Sequence, residues 1–265
     1  MKVGFIGCGN MGSALAAAIA ENKEIKLSVF DTDTAKAEAL AKKTGAEIAA
    51  PADMAAALDF LFLAVKPNMI ASVLGPLQGA IAANAALTVV SMAAGVRLDT
   101  LCGLLPEDTP VIRIMPNTSV SVGSGMTAYA ATDKLTAARE SDFLYIMKPT
   151  GTVDKLAERL IDAESAIAGS GPAFVYMFMD ALADGGVLCG LPRDKALLYA
   201  AKTLEGAAKT YLASGKHPAE LKDAVCSPGG STIEGVLALE EAGFRAAVAD
   251  AVVATCEKAK KLGNT

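Results

Sequence analysis

Cysteine, histidine and blocks of like charge are all scarce in this 265-residue chain, and each scarcity narrows its chemistry. Five cysteines, Cys8, Cys102, Cys189, Cys226 and Cys256, are widely dispersed, an odd number with no CxxC spacing, and His217 is the single histidine. That pattern fits neither a disulfide framework nor a zinc site. The 24 basic and 29 acidic residues are mixed without long runs, so nothing resembles a face for nucleic acid or another polyanion. No uninterrupted apolar run reaches the roughly 18 residues that span a bilayer. The first apolar stretch is broken by four glycines and reads as part of a fold rather than as a signal peptide. A cytoplasmic protein with no membrane and no nucleic-acid partner is expected. What the chain does have is apolar content, 52% of residues, ample for one large domain or two of ordinary size.

The most informative segment opens the chain. An apolar strand runs into Gly7-Cys8-Gly9-Asn10-Met11-Gly12 and then into the helix-like run Ser13 to Ala20. This is a dinucleotide-binding fingerprint in its proper context: Gly7 permits the tight turn, Gly9 lets the backbone approach a pyrophosphate, and Gly12 lets helix and strand pack closely. The helix N-terminus would face the phosphates with its unpaired amides and positive dipole end. A second strand, Lys26 to Phe30, ends at Asp31, which lies roughly 20 residues beyond the last glycine, where an acceptor for ribose hydroxyls belongs. Cys8, inside the turn, reads as a small residue that fits against phosphates.

Strand-like and helix-like segments alternate through the first half, as repeated βαβ units with a parallel sheet require. Further strands are expected at 60–65, 87–91 and 111–115, each nearly all apolar, as strands covered on both faces must be. Ligands bind at the carboxyl edge of such a sheet, so the strand ends matter. After Val65 ends its strand, Lys66-Pro67 reads equally as a strand stop and as a cofactor contact. Ala93-Ala94-Gly95 offers small side chains where a flat nicotinamide would lie, and reads equally as a helix-entry loop.

From about residue 155 the alternation stops and everything reads as helix, at 171–189, 193–212, 218–225, 232–239 and 243–261. The fold class is therefore α/β, an N-terminal Rossmann-like dinucleotide-binding domain over 1–155 followed by an all-helical domain over 156–265. The helix from Pro172 to Ala183 is apolar almost all round and must be surrounded by protein. A domain this small can hardly enclose it alone, so a partner subunit is inferred, and with it a homodimer. Asp180 and Asp184, four apart, read as the wet stripe of that helix in preference to paired acid-base carboxylates. His217, ahead of Pro218 at the first helical position, reads as a flanking residue.

The most specific feature of the helical half is Ser227-Pro228-Gly229-Gly230-Ser231-Thr232-Ile233-Glu234. Ser231 and Glu234 have capping-box spacing, which leaves the Thr232 hydroxyl free. The amides around Gly230 to Thr232 form a candidate anion site sized for a carboxylate. Seen alone, an ordinary capped helix is the commoner reading of such a segment.

These blocks together resemble the pyrroline-5-carboxylate reductase family across nearly the whole chain. The resemblance rests on Gly4 to Gly12, Ala64 to Pro67, Ser91 to Val96, Arg113 to Thr118 and Gly169 to Phe174. It continues in Asp180 to Val187, His217 to Asp223 and, most distinctively, Ser227 to Ile233. It implies that NADPH or NADH delivers hydride to the imine carbon of 1-pyrroline-5-carboxylate to give L-proline. It implies that amides of Gly230, Ser231 and Thr232 hold the substrate carboxylate, with Thr232 against the ring nitrogen. Met115, Pro116 and Asn117 would form the cofactor-side wall of the substrate pocket. Reducing an imine needs neither nucleophile nor metal, so positioning supplies most of the catalysis. An unperturbed threonine hydroxyl is too weak an acid to protonate an amine alone, so Thr232 is read as an orienting hydrogen bond that relays a proton from water. Asp31 is the residue of an NAD enzyme, whereas Thr32 stands about where some relatives place a serine on the 2′-phosphate of NADP; use of both cofactors is expected. An intertwined homodimer is implied, and in many members a ring of five dimers.

Two other functions share parts of this pattern. A β-hydroxyacid dehydrogenase shares the opening turn but needs a catalytic lysine on the interdomain helix, and the helix from Gly171 carries none. A non-enzymatic NAD(P) sensor would have no use for the loop at Gly230 to Thr232.

Overall fold

The computed structural model describes residues 1–263. Contacts divide the described residues into two compact units, one made of Met1–Ser170 with residues 255–263, the other of Gly171–Ala254. The boundary expected at 155/156 lies upstream of that division. The intervening segment stays with the first unit because it is anchored there: Ile161 and Ala166 are fully buried, and Glu158 and Asp162 pair with Arg113 of the sheet at 3.0 and 3.2 Å.

The first unit is built on an eight-stranded sheet of order β3-β2-β1-β4-β5-β6-β7-β8. Its strands are β1 (Lys2–Ile6), β2 (Lys26–Phe30), β3 (Glu47–Ile48), β4 (Phe60–Leu63), β5 (Thr88–Ser91), β6 (Val111–Pro116), β7 (Gly125–Ala131) and β8 (Gly151–Lys155). The first six run parallel in the doubly wound order 3-2-1-4-5-6. β7 then runs antiparallel to β6, and β8 runs parallel to β7. Neither β7 nor β8 was expected from the sequence. The helices of this unit are α1 (Asn10–Ile19), α2 (Thr34–Thr44), α3 (Pro51–Ala57), α4 (Ile70–Leu74), α5 (Gln78–Ala83), α6 (Leu98–Gly103), α7 (Ala137–Met147) and α8 (Ile161–Glu164).

The apolar runs of the strands explain the layering. In β4, Phe60 and Phe62 join the core on one face of the sheet while Leu61 and Leu63 join the core on the other, and all four are wholly buried. Period-2 alternation within an unbroken apolar run is what a strand covered on both sides needs. Phe5 of β1 stacks on Phe62 with ring centroids 4.6 Å apart, so the two central strands are tied by side chains as well as by the ladder.

The second unit is helical: α9 (Gly171–Leu188), α10 (Arg193–Ser214), α11 (Pro218–Ala224), α12 (Ser231–Glu241) and the part of α13 (Phe244–Gly263) that precedes Thr255. The expected helices agree with these to within two residues or so at each end. His217 is the N-cap of α11, its Nδ1 accepting the Ala219 amide at 3.2 Å, which makes the flanking residue a cap. Within this unit Phe178 and Phe244 pack at 5.6 Å, and a groove of about 590 Å³ is lined by Phe174, Met177, Phe178, Leu239, Phe244 and Val248. On length and mean hydropathy the segment Glu158–Leu188 passes the test for a membrane-crossing helix, although Asp180 and Asp184 interrupt its apolar run.

Candidate active site

Two places carry the features that the sequence marks for chemistry, one in each unit. In the first, β1 ends at Ile6 and the chain turns at Gly7, whose φ of 105° belongs to glycine. A β-carbon on Gly7 would run into the carbonyl of Ala64, which follows β4, and one on Gly12 would run into the Gly7 carbonyl and the Ala64 methyl. These two glycines therefore let β1, β4 and α1 close on one another at the point where strand order reverses. Gly9, by contrast, faces open space, since a β-carbon there would meet nothing within 4 Å. It is the N-cap of α1, and no side chain caps that helix. The first amides of α1, at Asn10 and Met11, thus have no partner within the helix, and an uncovered stretch of backbone lies beside them. That cradle fits a pyrophosphate.

Asp31 sits at the carboxyl end of β2 and is held by two backbone amides. Its Oδ2 accepts the Cys8 N–H at 2.6 Å and its Oδ1 accepts the Asp33 N–H at 2.8 Å. The first bond reaches across to the glycine turn, so the acidic residue expected beside the ribose also braces the turn. Sequence reading missed that second task; the lone small residue between Gly7 and Gly9 was its only signal. Ser13 adds another brace, donating its hydroxyl to the Cys8 carbonyl at 2.8 Å. The Cys8 thiol is pushed up to about 11, by burial first and by the Asp31 charge second, so it stays protonated near neutrality and offers no nucleophile. Thr32, Thr34 and Lys36 are exposed on the loop and first turn that follow.

At the ends of the next strands, Val65 is half-buried and Lys66 is exposed, with Pro67 opening a short 3-10 turn. Ala94 is exposed, but Ala93 is buried in the core, where it packs with residues such as Leu63 and Leu98. Of the pair expected to face a nicotinamide, only Ala94 therefore presents its methyl at the surface of the unit.

β6 delivers Met115, half-buried, and then Asn117. The Asn117 amide is largely committed: Nδ2 donates to the Ala168 carbonyl at 3.0 Å and Oδ1 accepts the Met126 amide at 3.2 Å. It clamps a π-helical turn (Ser165–Gly169) and the start of β7 to the end of β6, with one Nδ2 hydrogen left over. Two residues before Met115 stands Arg113, only 3% exposed, paired with Glu158 and Asp162. Glu158 also accepts the Leu98 amide at 2.7 Å, so this network joins β6 to the start of α6. A charge in the middle of the apolar run Val-Ile-Arg-Ile-Met was the signal that sequence reading passed over.

In the second unit, the loop before α12 departs from the expected capping box. The Gly230 amide donates to the Ser227 carbonyl at 3.0 Å, closing a turn with Pro228 and then Gly229 at its centre. Gly229 has a φ of 69°, the arrangement of a type II turn. That turn makes Gly230 the N-cap and puts Ser231 already inside the helix, with no side-chain cap. A β-carbon on Gly230 would collide with Ser227. This shift of the cap leaves the amides of Ser231 and Thr232 open at the helix start, and both side chains are exposed beside them. Asp184 forms an exposed ion pair with Arg193 at 2.6 Å and Asp180 is exposed, so these two form the solvated stripe of α9.

Both units have counterparts in known proteins. Residues 2–95 match the family of coenzyme F420-dependent NADP oxidoreductases, and residues 158–262 match the pyrroline-5-carboxylate reductase dimerisation family. Pyrroline-5-carboxylate reductase of Escherichia coli (strain K12) is 41% identical, over 100% of this chain and 99% of that protein. Pyrroline-5-carboxylate reductase 3 of Danio rerio is 39% identical, over 100% and 92%. Among solved structures, Plasmodium falciparum pyrroline carboxylate reductase with NADP bound has a TM-score of 0.88 at 31% identity, over 99% of this chain and 98% of that one. With sequence likeness running through both units from end to end, the chain belongs to the pyrroline-5-carboxylate reductase family.

Proposed function

We propose that this chain reduces 1-pyrroline-5-carboxylate to L-proline with NADPH or NADH, the last step of proline synthesis. The observation that carries the reading is the uncapped start of α12 behind the Ser227–Gly230 turn, a carboxylate-sized cradle of amides with the Thr232 hydroxyl beside it. A dinucleotide fold alone would suit many oxidoreductases; this cradle suits a substrate that carries a carboxylate next to the reacting ring.

The nicotinamide cofactor supplies the hydride when bound. Gly7, Gly9, Asn10, Met11 and Gly12 would hold its pyrophosphate, Asp31 and Thr32 its adenosine ribose, and Val65, Lys66, Pro67 and Ala94 would line its path along the strand ends, with Ala93 buried beneath them. This chain's own part in the chemistry is orientation and proton supply. The open amides of Ser231 and Thr232, with the N-cap Gly230 beside them, are assigned to the substrate carboxylate. The Thr232 hydroxyl is assigned to the ring nitrogen, as an orienting bond that relays a proton from water. Met115 and the clamped Asn117 are assigned to the wall of the pocket. Residues 1–155 are assigned to the cofactor domain and 156–265, a span whose first residues pack with the first unit up to Ser170, to the substrate and dimerisation domain. The exposed apolar face of α9 and the groove beside it support a homodimer, with a ring of dimers as the larger assembly. The mixed surface charge and net charge of −5 support a cytoplasmic enzyme with no nucleic-acid and no membrane partner.

The test is oxidation of NADH and NADPH, followed at the nicotinamide absorbance band, with 1-pyrroline-5-carboxylate and, in reverse, with a small 3-hydroxyacid. Rapid oxidation with the imine alone is expected. Turnover of the hydroxyacid, or cofactor binding with no turnover of the imine, overturns the reading.

A further inference from the structure

NADPH differs from NADH by one 2′-phosphate, so charges at the carboxyl end of β2 decide which of the two is held. That end carries Asp31, Thr32, Asp33, Thr34 and Lys36 with no arginine, two carboxylates against one ammonium. The ammonium is already matched. Lys36 Nζ lies 3.1 Å from Asp33 Oδ2, and its pKa is raised by that hydrogen bond and charge, with a smaller contribution from Asp31. A 2′-phosphate arriving here meets an excess of negative charge and must compete with Asp33 for the nearest cation.

Asp31 has no freedom to turn aside. Its two oxygens are fixed from two directions, Oδ2 by the Cys8 amide of the glycine turn and Oδ1 by the Asp33 amide of the following loop. Charge-assisted bonds of 2.6 and 2.8 Å to backbone hold the carboxylate in place, while each oxygen keeps a second acceptor position for a ribose hydroxyl. We infer that Asp31, pinned between the glycine turn and the β2 loop, makes this chain selective for NADH over NADPH. The inference rests on the cofactor site proposed above and deepens it, since a merely bracing Asp31 would hold the turn without favouring either dinucleotide.

The experiment measures Kd for NADH and NADPH by quenching of nicotinamide fluorescence. Titration calorimetry with AMP and adenosine 2′,5′-bisphosphate isolates the phosphate without any turnover, and kcat/KM ratios complete the set. NADH is expected to be favoured by about tenfold or more, the scale of one unfavourable charge contact. Asp31→Asn removes the charge and keeps one acceptor for the turn; the preference is expected to fall at least about fivefold, through tighter NADPH binding. Thr32→Arg leaves both Asp31 bonds untouched and adds the missing cation, so it is expected to move the ratio the same way even if the Asp31 variant folds poorly. Equal or tighter binding of NADPH by the unaltered protein overturns the inference. So does a ratio unmoved in the variants while both dinucleotides weaken together, the result a bracing role alone would give. Failure of both dinucleotides to bind the unaltered protein overturns the cofactor site itself and this inference with it.

Discussion

The two units bury their apolar residues in opposite ways. In the first, residues such as Phe5, Phe60, Phe62, Leu61 and Phe143 are wholly enclosed on the two faces of the sheet. In the second, only the small residues Ala183, Ala196 and Ala200 are buried, while Met177 is 73% and Leu212 78% exposed. A unit that leaves its large apolar side chains on the surface is built to be covered, because contiguous exposed patches mark interaction sites. The first unit covers its own large apolar side chains; the second, which matches a dimerisation family, leaves its own on the surface.

The sharpest way to break that comparison is to place one charge on each unit at equal exposure. Val175 on α9 is 49% exposed and Ile48 on the edge strand β3 is 50% exposed. Val175→Asp is expected to abolish the dimer at micromolar concentration in sedimentation equilibrium, whereas Ile48→Asp leaves it intact. Loss of assembly in both, or in neither, would remove the distinction between the units.

Next in size is the buried network that ties the first unit together. Replacing Arg113 by leucine leaves Glu158 and Asp162 facing an apolar side chain. Breaking a buried pair from one side costs about 3–5 kcal/mol, and the partly exposed carboxylates put this case at the lower end. A drop of that order in urea-unfolding stability is expected. Less than about 1 kcal/mol would show that the network adds nothing net.

Thr232→Ala tests the second unit on function instead of stability. A fall of about tenfold or more in kcat/KM for the imine is expected, the scale of one positioning hydrogen bond, while the Kd for the dinucleotide stays unchanged. An unaltered kcat/KM would remove Thr232 from the mechanism.

The same contrast governs what could be read from sequence. The parallel strands β1, β2, β4, β5 and β6 were legible because each is a short, nearly pure apolar run, the imprint of burial on both faces. β7 was not: Gly-Met-Thr-Ala-Tyr-Ala-Ala has few β-branched residues and no clean alternation, and it pairs antiparallel after a long parallel series. β8, at the sheet's edge, is largely exposed and polar. The helices of the second unit were legible from periodicity, but the start of α12 was mistaken by one residue. Ser231 and Glu234 satisfy the capping template, yet Pro228-Gly229 forces a turn that consumes the Gly230 amide first. Asp31 was legible as a position and illegible as a brace, because a bond from its carboxylate to Cys8 depends on where two strand ends meet in space.

The smallest predicted effect separates the units by the way they hold carboxylates. On α10, Glu205 bonds Lys202 and Lys209 at 2.7 and 2.6 Å on an exposed helix face, and those bonds lower it to about 2. At the end of α8 in the first unit, both oxygens of Glu164 are buried and find no hydrogen-bond partner among the described residues. Burial, with the Asp154 charge as a lesser cause, pushes Glu164 up to about 7. The sign follows from linkage: the folded protein keeps this proton up to about pH 7, while the unfolded chain gives it up near the ordinary value of 4.5. The stabilising contribution is therefore fully present below about pH 4.5 and is lost as pH rises through 7. Glu164→Gln keeps the side chain neutral throughout. Relative to it, the unaltered protein should lose a few degrees of Tm between pH 5 and pH 8 in thermal melts, and the gap should change little with added salt, because desolvation rather than a screened charge sets it. Parallel Tm curves for the two proteins would mean that water reaches Glu164, and that the first unit is less tightly closed at α8 than its sheet.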